Sequence, residues 1–320
     1  MKKHILFVLL FVASLQLSAQ EMLVGSYNIR YKNANDSLQG NVWTKRCQVI
    51  CDQLNFMSPD IFGTQEVLYA QLQDMKQALD GYDYIGIGRD DGKRAGEHEA
   101  IFYKKDKLTL LDHGDFWLSE TPDQPGLGWD AVCIRICTWG KFQRVLPEAR
   151  PRRLGLFRRA PQPESQVFFF FNLHMDHVGV VARREAAKLV VAKVREIAQG
   201  APVFLTGDFN VDQTNEIYTI FTNSGLLKDS YDAARIRFAE NGTFNAFKTE
   251  YFTTSRIDHV FVSPSTTVEA YGVLTNSYWT ENETSDAIEQ ASDAPQEIWF
   301  SNTTRRNPSD HYPVFVKIVF

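Results

Sequence analysis

Two kinds of apolar run alternate along the chain, and their periods separate strands from helices. Runs with period two, or short continuous apolar runs, predict strands; apolar positions recurring at i, i+3, i+4 and i+7 predict helices. "MLVGSYNI" predicts a strand ending at Asn28, followed by a helix over 43–56 with Cys47, Ile50, Cys51 and Leu54 on one face. "PDIFGTQEV" predicts a strand ending at Glu66, and Leu68, Leu72, Met75 and Leu79 mark the stripe of the next helix. Further strands are expected near 83–88, 99–104, 107–117 and 131–143. "VFFFFNLHMDH" is a strongly apolar strand with a polar end at Asn172, His174, Asp176 and His177. Residues 180–198 predict a helix with Ala182, Ala186, Leu189, Val190, Val194 and Ile197 inward, stopped at Gly200. "PVFLTGDFN", "RIDHVFVSP", "TVEAYGVLT" and "YPVFVKIVF" supply the last strands. Many strands with few helices between them predict two packed sheets with helices on their outer faces. No low-complexity linker or internal repeat divides the chain, so one domain is expected.

The strand ends carry the chemistry. In "FLTGDFNVD" (204–212) an apolar run delivers Asp208 and Asn210 to one side and Phe209 to the other. Alone, Gly-Asp and Asn are good turn formers; two oxygen donors so placed also suit a hard cation such as Mg²⁺. The same kind of ending recurs at Asn28, Glu66, His174, Asp258, and Asp310 with His311. One such end is a turn. Six converging on one rim make a site, with carboxylates and amides for a cation and imidazoles for proton transfer. Metal-assisted phosphoester hydrolysis needs that inventory.

Composition narrows the setting. Lys2 and Lys3, the apolar run Ile5 to Leu17 and the small-residue exit Leu17-Ser18-Ala19 read as a secretory signal over 1–19. The run is short for a membrane span of ~20 residues, so residues 20–320 are expected as an exported, soluble domain, periplasmic or secreted. Losing Lys2 and Lys3 leaves 32 Lys and Arg against 39 acids, a formal charge of −7. That balance excludes a generic polyanion binder. Cys47 and Cys51 share a helix face, and Cys133 and Cys137 lie four apart in an extended run, roughly 13 Å at ~3.3 Å per residue, too far to bond each other. Buried free thiols are the expectation, with bridges between the two pairs left open.

"SYNIR", "GTQEV", "FNLHMDH", "TGDFN", "RIDHVFVS" and "SDHYPV" resemble, in this order, the motifs of the endonuclease/exonuclease/phosphatase superfamily. The resemblance runs from about Leu23 to Phe320. It implies a four-layer α/β sandwich, two packed mainly antiparallel β-sheets flanked by helices, with the site at the mouth between the sheets. It further implies Glu66 as the principal metal carboxylate with Asn28 beside it and Asp310 as a secondary ligand. Asp208 and Asn210 match the pair that positions water, phosphate or a second cation. His311 matches the general base, Asp258 the carboxylate that orients it, and His174 a second histidine on the phosphate or leaving oxygen. Two positions stay open: Glu97 either pairs with His174 or is a surface acid, and Arg135 either holds the phosphate or covers a sheet face. His177, just past His174, is not general to the superfamily and is placed with the substrate.

Two stretches depart from the pattern. The basic 144–165 segment invites a nucleic-acid reading, but a straight strand from Gln166 to His174 puts it ~25 Å from the site, at the opposite end of the sandwich. The 276–308 segment, with Tyr278, Trp279, Trp299, Phe300 and six acids, leads directly into Asp310-His311 and is expected to enter the site region. The resulting expectation is an exported, monomeric, Mg²⁺- or Mn²⁺-dependent phosphoester hydrolase, a phosphodiesterase that prefers small or terminal phosphoesters to duplex DNA. The rivals are a nuclease or 3′-exonuclease, a sphingomyelinase-like phospholipase C, and, from a different class, a non-catalytic binding protein.

Overall fold

Each sheet is organised around one parallel pair of strands. The computed structural model describes residues 21–145, 166–281, 295, 297–298 and 300–320. Glu21–Asn28 and Ile61–Gln65 run parallel, Asn28 opposite Gln65, and the helix Trp43–Met57 makes the crossover. In the other sheet Val167–His174 and Val203–Asp208 run parallel, His174 opposite Asp208, joined by the helix Val180–Ala198. Parallel strands need such crossovers, and the result is that both strands of each pair end on the same rim.

Antiparallel neighbours complete the sheets, except that the short edge strand Ile236–Phe238 runs parallel to Thr267–Val273. The order in the first is Ile236–Phe238, Thr267–Val273, Val314–Val319, Glu21–Asn28, Ile61–Gln65, Ile101–Lys104, Tyr82–Ile85. In the second it is Lys228–Asp229, Asp258–Val262, Val203–Asp208, Val167–His174, Ile136–Arg144, Leu108–Trp117. An antiparallel strand beside a parallel pair starts where the pair ends. Asp258 therefore lies opposite Asp208, and the turn carrying Asp310 and His311 lies beside Asn28.

The core has three apolar layers. Phe168, Phe170, Phe204, Val260 and Val316 pack between the sheets. Phe169, Phe171, Leu205 and Phe261 face the other way, against Ala186, Val190 and Val194 of the Val180–Ala198 helix and Phe221 of Glu216–Thr222. Phe62, Phe102 and Phe315 face the Trp43–Met57 and Tyr69–Ala78 helices through Ile50, Leu54, Leu72 and Met75. Both faces of each sheet are covered, which is why "VFFFF" is a continuous apolar run instead of an alternating one. Four layers, helix on sheet on sheet on helix, follow as the motif order implied.

Along the inward positions the chemistry changes with depth. Met22, Val24, Ser26 and Asn28 form one inward row; Phe168, Phe170, Asn172 and His174 form another. Hydrocarbon gives way to neutral polar groups and then to the site. Asn172, with no exposure, accepts from Gln65 Nε2 at 2.6 Å and Thr206 Oγ1 at 3.0 Å. It donates to the carbonyls of Thr64 and Ala100 at 2.8 and 3.2 Å, so one amide joins the two sheets. Arg46 does similar work from the Trp43–Met57 helix. Fully buried, it donates to the carbonyls of Ile29, Arg30, Asn41 and Pro308 and so ties together the loops after Asn28 and before Asp310.

Several boundaries differ from the pattern. The strands expected at 83–88, 99–104 and 131–143 are Tyr82–Ile85, Ile101–Lys104 and Ile136–Arg144. Residues 131–135 form a loop that delivers Cys133 and Arg135 to the cleft. The four cysteines are free thiols, three of them buried, with Cys47 and Cys51 sulfurs 4.0 Å apart. No helix among the described residues is long and apolar enough to cross a membrane. Residues 1–20, where a leader is expected, and the basic stretch 146–165 lie outside the described residues.

The inter-sheet amide imposes a requirement at Gly63. A Cβ there would stand 2.1 Å from Asn172 Oδ1 and 2.5 Å from Thr206 Oγ1. Gly63→Ala should therefore cost about 1–3 kcal/mol, the usual price of overpacking, seen as a lower urea midpoint with unchanged slope. An unchanged midpoint would mean that the sheets are not held at this spacing by Asn172.

Candidate active site

The polar strand ends meet in a cleft of about 630 Å³ at the mouth between the sheets, lined by Glu66, Glu97, Arg135, His174, His177, Asp208, Asn210, Asp310 and His311 among others. Two of them depend on a left-handed backbone. Gln65 faces inward, so alternation would turn Glu66 away; at φ +64° its side chain swings back into the cleft. Non-glycine residues hold such angles at a cost of order 1–3 kcal/mol, and only where the surroundings enforce them. Here Asn28 Nδ2 and Tyr31 N donate to the two carboxylate oxygens of Glu66 at 3.0 and 3.2 Å. Asn210 sits at φ +50°, its N–H donating to Asp208 Oδ1 at 2.9 Å. That is an Asx turn. The turn and the site in "GDFN" are one feature.

Acids crowd this rim. Carboxylate oxygens of Glu66 and Asp208 and a ring nitrogen of His174 lie within 4.8 Å of one another, all three residues buried. Burial, reinforced by Asp258 and Glu66 against the opposing pull of His311, pushes Asp208 up to about 7. Burial, with Glu66 adding, pushes Asp310 up to about 6, although His311 and Arg30 oppose it. Crowded, desolvated carboxylates with oxygen donors are what a hard divalent cation relieves, so the donor set fits a metal. Asn28 differs from its expected role as a metal ligand. Its Oδ1 accepts from Arg30 N at 3.0 Å, and its Nδ2 donates to Glu66 and to Asp208 Oδ2 at 3.1 Å. It presents N–H groups, not oxygen, and holds two carboxylates apart.

The two histidines are driven in opposite directions. Burial alone would lower His311, but Asp258 Oδ2 at 2.8 Å from Nδ1 and Asp208 beyond Nε2 outweigh it, and the ring is held well above its ordinary value. For His174, burial and the cations of Arg135 and Arg89 act together and push it well below. Its Nε2 meets Asn210 Nδ2 at 3.1 Å and stands 3.4 Å from Asp208. Paired groups pushed apart in this way are how one site holds an acid and a base at once.

Two acids, Glu97 and Glu99, stand beside His174. Glu97 forms a bidentate pair with Arg89 at 2.6 and 3.0 Å, which occupies it. Glu99, two residues on, is fully buried with both oxygens unpartnered, as is Nδ1 of His174. A ring nitrogen of His174 and one oxygen each from Glu97 and Glu99 lie within 4.8 Å of one another. Burial, reinforced by Glu97, pushes Glu99 up to about 8. Glu97 and Glu99 share parity in "GEHEAIFY", so pattern alone could not choose between them. Arg89, Tyr31 and Phe244 also line the cleft and lie outside the six motifs, and Arg30, the end of "SYNIR", joins them although the motif implied no role for it. Arg135 and His177 both line the cleft, Nη2 of the arginine donating to His177 Nδ1 at 3.2 Å.

The 276–308 segment does not line the cleft through its described residues. Tyr278–Glu281 and Thr303–Arg306 pair as a hairpin, and Arg306 donates to the carbonyl of Gln39 at 2.9 Å and to Asn41. The hairpin is anchored beside the 39–41 turn, with Trp279 and Phe300 exposed to solvent. Trp299 and residues 282–294 lie outside the described residues.

The Endonuclease/Exonuclease/phosphatase family model matches residues 25–311, and the chain belongs to this family, whose members are phosphoester hydrolases dependent on divalent metals. A family protein of Bacteroides thetaiotaomicron is 48% identical, with TM-score 0.82, over 94% of this chain and 98% of that one. A mannosyl-6-phosphatase of the same organism is also 48% identical, with TM-score 0.79, over 93% of this chain and all of that one. An uncharacterized protein of Acanthamoeba polyphaga mimivirus is 28% identical over 269 residues, 78% of this chain; the match spans 39% of the viral protein's length.

Glu99 gives a test of the local electrostatics. An acid raised from 4.5 to about 8 keeps its proton in the folded chain where the unfolded chain has released it. Its penalty is absent below about pH 4 and grows as pH rises toward 8. In metal-free protein, Glu99→Gln should shrink the stability lost between pH 5 and pH 8 by ~1 kcal/mol or more. Urea titrations with the same pH slope in both proteins would contradict this environment.

Proposed function

We propose that this member of the endonuclease/exonuclease/phosphatase family hydrolyses small, terminal phosphomonoesters, a sugar phosphate being the favoured class, with Mg²⁺ or Mn²⁺ as its metal. The observation that carries the reading is the buried carboxylate cluster set beside the Asp258–His311 pair in one cleft. The monoester preference rests on the likeness over nearly the whole chain to a mannosyl-6-phosphatase, and it replaces the phosphodiesterase expected from sequence.

Glu66, Asp310 and Asp208 would hold the cation, which when bound supplies charge stabilisation at the phosphoryl oxygens. Asp258 accepts the Nδ1 proton of His311, fixes the tautomer and leaves Nε2 facing Asp208 and the cleft. Asp208 and Asp310 help keep His311 protonated in the metal-free site; once the cation they hold neutralises them, Nε2 is free to take the proton of the attacking water. His174, with Asn210 fixed against it, meets the phosphate or the leaving oxygen. Asn28 keeps Glu66 and Asp208 in place. We place the enzyme outside the cytoplasm on the leader-like residues 1–19, and as a monomer.

Purified protein with Mg²⁺ or Mn²⁺ should release phosphate from mannose 6-phosphate and p-nitrophenyl phosphate, and EDTA should stop it. His311→Ala should lower kcat ~10²–10⁴-fold, the usual cost of a lost general base. Glu66→Gln should move the metal titration to higher concentration, with activity partly restored there. Plasmid nicking without release from any sugar phosphate would refute the reading.

A further inference from the structure

The cationic wall of the cleft contains one guanidinium, Arg135, with carboxylates at ion-pair distance but none hydrogen-bonded to it. Arg89 is satisfied by Glu97. Arg135 is 5% exposed, and its side chain makes one hydrogen bond among the described residues, to the imidazole of His177. The nearest carboxylate oxygens, on Asp176 and Glu97, stand 3.8 and 4.0 Å away, beyond hydrogen-bond reach. Both are already committed: Asp176 accepts from the backbone N–H groups of Val132, Cys133, Val178 and Gly179, and Glu97 from Arg89. The Nε of Arg135 is buried with no hydrogen-bond partner, its contact with Asp176 being the longer ion pair.

A buried cation without a hydrogen-bonded anion is costly, so this arrangement is built for an anion that arrives with the substrate. The backbone holds it there, since Leu118 N donates to the Arg135 carbonyl at 2.8 Å. Because His177 Nδ1 accepts from Arg135, its proton resides on Nε2, so the ring adds a second donor on the same wall of the cleft.

We propose that Arg135 and His177 form a clamp for the third terminal oxygen of a phosphomonoester and so select monoesters over diesters. A monoester near neutral pH carries close to two charges and three terminal oxygens; a diester has one charge, two terminal oxygens and a second carbon substituent. The metal and His174 side of the cleft serves both. The clamp serves the oxygen that only the monoester has. This rests on the phosphomonoesterase reading above.

The test uses the full-length protein with Mn²⁺ and two substrates sharing a leaving group, p-nitrophenyl phosphate and bis-p-nitrophenyl phosphate. Arg135→Gln should lower monoester kcat/KM by ~10–100-fold, the scale of a charged hydrogen bond, and the monoester-to-diester ratio by at least tenfold. His177→Gln, at an exposed position that is safe for folding, should move the ratio the same way by a smaller factor. The inhibition constant of inorganic phosphate should rise in both variants. Parallel loss on both substrates, or an unchanged phosphate inhibition constant, would overturn the clamp. Wild-type protein that cleaves only diesters would overturn the monoesterase reading and the clamp with it.

Discussion

Asn172 joins the two sheets at the depth where hydrocarbon gives way to charge. Its carbonyl takes one hydrogen bond from each sheet, and its amide fills two carbonyls of the first sheet. Buried polar groups of this kind are worth little net when satisfied and are expensive when broken, so the amide acts as a spacer. With the spacing set there, side chains two residues further along the inward rows meet across the gap. His174 and Asp208 come from one sheet, Asn28 and Glu66 from the other, and they reach each other at 3–3.5 Å. A strand that slipped by one residue within its sheet would turn its own member of this set to the outer face.

Strand polarity does the rest. A parallel pair ends both strands on one rim, and an antiparallel neighbour begins there. The arrangement gathers residues from Asn28 to His311 without any long loop. It also explains why the chain keeps two long crossover helices in a mainly antiparallel fold. The cost is a rim of buried acids pushed toward neutrality, which stabilises nothing in the empty protein. That is the signature of a site kept for chemistry, not for folding.

Much of this was legible in the sequence because it follows from period. The recurring polar strand ends placed Asn28, His174, Asp208 and Asp258 on one rim, and the 180–198 helix was found with its bounds intact. What parity could not convey was left-handed backbone at Glu66 and the choice between Glu97 and Glu99, which share a face in sequence but differ in burial and partners. The direction in which Asn28 presents its amide was equally invisible, since it depends on Arg30 N, a contact made by a turn. The 276–308 segment misled for a related reason. Its end is in the site, yet Arg306 draws the hairpin toward the 39–41 turn.

The central claim is that strand ends from both sheets build one cation site. A crystal of the full-length protein soaked in Mn²⁺, measured at the manganese absorption edge, tests it most directly. The account predicts an anomalous peak in the cleft at ~2.0–2.3 Å from Glu66, with lower occupancy in Glu66→Gln crystals soaked alike. A peak of equal occupancy without Glu66, or a Mn²⁺ ion bound away from the cleft with none inside it, would contradict it.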